Sequence, residues 1–130
     1  MSTVFETAAQ VTGVASGAIP AYARVTGPVG DTRTFTVAAV GDRADAILHQ
    51  GVALADGETG LFKLLSGADT NYGIADGAIT AGAKVYGDAD GELSATQETG
   101  AFAEGVAITA ATADGDVIEW RYKPELTAGS

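Results

Sequence analysis

Few side chains in this sequence could do chemistry. His49 is the sole histidine and cysteine is absent, so nucleophilic catalysis would need a Ser or Thr hydroxyl activated by that one imidazole. No second base is available, and His49 reads as an ordinary surface or half-buried residue. Lack of cysteine also removes disulfide frameworks, cysteine-bound zinc and thiol catalysis. A second grouping, Asp88-Ala89-Asp90-Gly91-Glu92, sets alternating carboxylates before a glycine, as a calcium loop does at its start. The rest of that loop does not follow: Gln97 stands where the closing Glu belongs and Glu98 comes one position late. An acidic hairpin turn explains the segment. Third, Asp42, Asp45, Asp56 and Glu58 lie near one another, with Asp114 and Asp116 further on. Paired carboxylates hydrolyse glycosides only when they face each other across a groove, and turn and surface acids account for these. Tyr22, Tyr72, Tyr86, Trp120 and Tyr122 could form a sugar-binding platform, but with 26 alanines and 18 glycines the chain needs its rings for filling. The expectation is a protein that is not an enzyme and holds neither cofactor nor metal.

The elements that must position these residues are strands. A chain of 130 residues allows one domain able to bury a core without metal or disulfide. A formal charge of −10 opposes binding to phosphate backbones and anionic membranes, so neither nucleic acid nor membrane is an expected partner. The longest uncharged stretch, residues 7–23, is broken by Thr, Ser, Gly and Pro and is no membrane span. Apolar residues alternate or come in short runs at 22–25, 34–40, 61–65, 84–86, 92–96, 103–108 and 117–122, which predicts strands. In the last run Ile118, Trp120 and Tyr122 share one face, and Glu119, Arg121 and Lys123 the other. Only 43–50, with Ala44, Ile47 and Leu48 at i, i+3, i+4 spacing, predicts a short helix. Ala-Asp-Gly occurs four times, ending at Gly57, Gly77, Gly91 and Gly115, and marks tight turns. The best hairpin runs through 87–91.

These elements repeat. Gly17-Ala18-Ile19-Pro20-Ala21-Tyr22-Ala23-Arg24-Val25-Thr26-Gly27 matches Gly77-Ala78-Ile79-Thr80-Ala81-Gly82-Ala83-Lys84-Val85-Tyr86-Gly87 at seven of eleven positions. The offset of 60 drifts only to 58 by the time Ala55-Asp56-Gly57-Glu58 meets Ala113-Asp114-Gly115-Asp116. Two similar β units, 17–66 and 77–123, are read as one all-β domain over 17–123. Each unit supplies three or four strands, too few to close alone, so the two should pack as a small β-barrel or β-sandwich. Residues 1–16 are expected as an extended N-terminal arm, with Thr3, Val4, Phe5 and Val11 as its candidate contact residues. Residues 124–130 are expected as a C-terminal tail.

The second unit also resembles a known family. Thr80-Ala81-Gly82-Ala83-Lys84-Val85-Tyr86, Gly91-Glu92-Leu93-Ser94-Ala95-Thr96, Gly105-Val106-Ala107-Ile108 and Ala110-Ala111-Thr112-Ala113-Asp114-Gly115-Asp116-Val117-Ile118-Glu119 are similar to the capsid decoration, or cement, proteins of tailed bacteriophages. The resemblance implies a β-rich homotrimer, made in the host cytoplasm, that binds the major capsid protein on the outer surface of an expanded head. There it would sit at local three-fold positions and stabilise the virion. A small β domain that recognises a glycan or host-surface ligand is the alternative expectation.

Overall fold

The computed structural model describes residues 10–67 and 69–129. Ten strands carry nearly all of the regular structure: β1 (Gln10–Ala15), β2 (Arg24–Val29), β3 (Thr34–Val37), β4 (Ala46–Leu48), β5 (Thr59–Leu64), β6 (Thr70–Ile74), β7 (Lys84–Gly87), β8 (Leu93–Ser94), β9 (Ala103–Ala107) and β10 (Val117–Tyr122). One 3-10 turn at Ala89–Gly91 is the sole helical element among the described residues. The protein is all-β, as expected, and the choice between sandwich and barrel falls to the barrel.

The first five strands close into a barrel of order β1-β3-β2-β4-β5, in which β1 runs parallel to β3 and antiparallel to β5. The last five form a sheet of order β6-β10-β9-β7-β8, and a parallel bridge between Ala75 and Leu93 joins its outer strands. That bridge is the counterpart of Ala15 against Phe35 in the first barrel. The two halves therefore share one topology, strand for strand. The duplicated sequence is a closed five-stranded barrel and a five-stranded sheet of the same strand order, curled by the Ala75–Leu93 bridge and called the second barrel below, each around its own core, rather than two partial units closing one barrel together. One core gathers Phe35, Phe62, Leu48, Val25 and Ile19; the other gathers Trp120, Ile118, Val85, Leu93 and Ile79.

Three expectations change. Residues 10–15 of the expected arm form β1, and the repeat reaches back to them, with β6 as the partner strand 60 positions on. Their inward positions are Val11, Gly13 and Ala15, which carry little apolar signal. A Cβ on Gly13 would lie 2.5 Å from the Phe35 ring, so the gap in the pattern is the space that ring occupies. Residues 1–9 lie outside the described residues. The predicted helix at 43–50 is instead β4. Ala46 and Leu48 face the first core while Ile47 enters the second, so all three are buried and no alternation shows. Residues 124–129 lie along the second barrel, where Ala128 and Gly129 bridge Phe102 and Thr99.

The turn chemistry is as expected. Gly57, Gly77, Gly91 and Gly115, the glycines of the four Ala-Asp-Gly turns, all have φ between 72° and 89°, where residues with a Cβ are disfavoured. The 87–91 segment joins β7 to β8 as a hairpin, with Tyr86 opposite Ser94.

Candidate functional site

Arg24 sets how the barrels sit together. It begins β2 and is 1% exposed. Its guanidinium reaches the second barrel and donates to Glu104 Oε2 at 2.8 Å, the Asp88 carbonyl at 2.9 Å and the Glu92 carbonyl at 3.1 Å. Glu104 Oε2 also accepts from the Ala44 backbone N–H. Burial pushes the Glu104 carboxyl above its usual range, and the Arg24 charge opposes that rise. The seam is extended by Arg43 over the Phe102 ring and by Lys63, which donates to Asp69 and to the Thr70 carbonyl. The barrels are thus held by the buried Arg24–Glu104 pair with its flanking hydrogen bonds and by Ile47 of β4, which packs into the second core.

Beside this seam lies an aromatic ledge. The Tyr22 and Tyr72 rings meet with centroids 5.5 Å apart and planes inclined by 50°. Tyr72 is on the outer face of β6, opposite Glu119, and the next outward pair along these strands is Ile74 with Val117. Ile108 continues the Glu119 row, its N–H donating to the Glu119 carbonyl. A shallow cleft of about 100 Å³ borders the ledge, walled by Pro20, Ala21, Ile74, Asp90 and Glu92. Of the rings weighed for a sugar platform, the structure brings Tyr22 and Tyr72 together. Trp120 is fully buried and its indole N–H donates to the Tyr72 carbonyl, fixing the strand that presents the ring.

The ledge ends in acids. Asp76 follows β6, Glu92 lies in the β7–β8 hairpin and Asp114 in the turn before β10, and their carboxylate oxygens lie within 4.8 Å of one another. These three could offer oxygen ligands to a divalent cation. They are not the in-line set of the 88–92 segment: Asp88 N-caps the 3-10 turn through the Ala89 N–H. Hydrogen bonding to Asp88, aided by burial and by the nearby Asp114 charge, raises Asp76 to about 7. Asp76 was not among the candidates read from the sequence, because its turn looks like the other three.

The remaining candidates hold the fold. Asp56 accepts from the Gly17 N–H, Glu58 from Ala55, Asp45 from Gly27, Asp42 from Ala39, and Asp116 from Thr112 and Ala113. Each carboxylate ties a loop, and Asp114 alone of the six joins the acidic cluster. Among the described residues His49 Nδ1 has no hydrogen-bond partner, and burial followed by the Lys63 charge lowers its pKa. No carboxylate orients the ring through that nitrogen as a catalytic base requires. Val11 packs half-buried against the first core as part of β1, and Thr3, Val4 and Phe5 lie outside the described residues.

Comparison with family models and with curated proteins finds no match. Among solved structures, the head fiber gp8.5 N base of bacteriophage phi29 is similar to this chain in fold, with a TM-score of 0.71 and 17% sequence identity. The alignment covers 92% of this chain and 98% of that one. The fold is therefore shared over 92% of this chain with a phage protein.

Proposed function

We propose that this chain is a non-enzymatic structural protein of a tailed-phage head, which binds the outer surface of the expanded shell at local three-fold positions and reinforces it. The observation that carries this reading is the fold likeness to a head fiber base over 92% of the chain. The decoration-protein resemblance of the second barrel points the same way. So does the distribution of acids: five of the six weighed for catalysis accept from backbone N–H groups that tie loops, which suits a rigid, repetitive adhesive better than a catalyst. Its partners would be the major capsid protein and, in a homotrimer, itself. Assembly after synthesis in the host cytoplasm would place it on the virion. Binding to many shell subunits stabilises the assembled state by mass action.

The test uses purified chain and empty expanded heads built from the shell protein of the same phage genome. Saturable uptake, with heads that survive to higher temperature, is expected, and sedimentation of the free chain should give three times the 13.0 kDa mass. A chain that leaves the heads bare would defeat the proposal. The Tyr22–Tyr72 ledge beside a cleft favours a second reading, a glycan-binding module, which retention on a glycan array together with bare heads would establish.

A further inference from the structure

Tyr22 sits where the backbone asks for glycine. Its φ is 58°, and the matching residue in the second barrel is Gly82 with φ 87°. A residue with a Cβ pays about 1 kcal/mol or more for the left-handed region. The cost makes sense if the ring itself is wanted at that place. The ring it leans on is also a departure from the repeat: Tyr72 lies 60 positions after Thr12, and no aromatic stands there in the first barrel. Two unrepeated tyrosines from different barrels thus meet on one surface. Around them Tyr72 is 46%, Val117 51% and Ile108 41% exposed, and the one carboxylate between them, Glu119, is held by the Thr70 hydroxyl, which donates to its Oε2. Tyrosine is the residue type enriched where a few side chains carry an interface, and a joined apolar patch on a soluble chain marks a contact surface. At one end stand Asp76, Asp90, Glu92 and Asp114; the other end of the same strands carries Arg121.

We propose that this ledge, Tyr22 and Tyr72 with Ile74, Val117 and Ile108, is the docking face of the protein, and that its occupant is a protein surface with an apolar centre and a Lys- or Arg-bearing edge turned toward the acidic end. The inference deepens the function proposed above, on which it rests, by naming which face meets the shell protein. Charge selects the occupant. A second copy brings the same net charge of −10 to an already acidic end, whereas a basic edge is complementary and is steered into place.

The deciding variant is Tyr22→Gly, which gives the first barrel the residue that the second already has. A docking ring predicts an unchanged or higher melting temperature with at least tenfold weaker binding to the empty heads. Tyr72→Ser should weaken binding similarly, and Asp114→Lys should weaken it and flatten its dependence on salt. Val29→Ser, at a 69% exposed residue at the end of β2, should bind as the unaltered chain does. If Tyr22→Gly lowers the melting temperature and leaves binding intact, the ring is a strut between barrels and the proposal is overturned. If the unaltered chain binds heads and all ledge variants bind equally well, the face is wrong while the function stands. If the unaltered chain ignores heads, the function fails and the shell protein goes with it as occupant.

Discussion

Replacing Arg24 by Met tests whether the two barrels are one cooperative body. The guanidinium is 1% exposed and its partner Glu104 is fully buried. Leaving one member of a buried ion pair without the other costs about 3–5 kcal/mol. Arg24 also serves the Asp88 and Glu92 carbonyls at 2.9 and 3.1 Å, and each acceptor left unpaired adds about 1 kcal/mol. Arg24→Met should therefore lose about 5–7 kcal/mol. Glu104→Gln keeps the shape and the carbonyl contacts and should lose only about 3 kcal/mol on the same reasoning. Urea unfolding followed both by the fluorescence of Trp120, which sits in the second core, and by far-UV circular dichroism reads both quantities. In the parent chain the two transitions should coincide, because Ile47 and Arg24 join the cores. In Arg24→Met they should separate. Losses below about 1 kcal/mol in both variants, or a Glu104→Gln loss as large as that of Arg24→Met, would refute the argument.

Other expectations follow from single contacts. Asp76 is held near 7 against an ordinary value near 4, so its protonated form stabilises the fold at low pH and that stabilisation is lost as pH rises through about 7. Asp76→Asn, still able to bond Asp88 and no longer repelled by Asp88 and Asp114, should show a flatter melting-temperature profile from pH 5 to 8; parallel profiles would contradict this. Phe62 stacks on Phe35 with centroids 4.0 Å apart, and Phe62→Ala should cost about 3–5 kcal/mol by chemical denaturation. A Cβ on Gly105 would collide with the Arg121 carbonyl and press the Trp120 ring. Gly105→Ala should destabilise by at least about 1–3 kcal/mol and alter the tryptophan emission.

What could be read from the sequence alone was local. Alternation in 117–122 gave β10 to the residue, because period-two burial needs only neighbours along one strand. The Ala-Asp-Gly turns were legible because positive φ is a property of a few residues. The duplication was legible because it is written in the chain itself, although its start was missed where Gly13 and Ala15 face inward. Tertiary structure alone decided the rest. Strand β4 is buried on both sides by two cores, which erases the alternation a strand is recognised by. Arg24 and Lys84 occupy matching positions, yet one is sealed in the seam and the other is 54% exposed in an ion pair with Glu125. The meeting of Tyr22 with Tyr72 depends on how the two β units are set against each other, and that of Asp76 with Glu92 and Asp114 on how the loops of the second unit return. Such proximity is fixed by chain closure and packing across the molecule, and residue spacing carries no record of it.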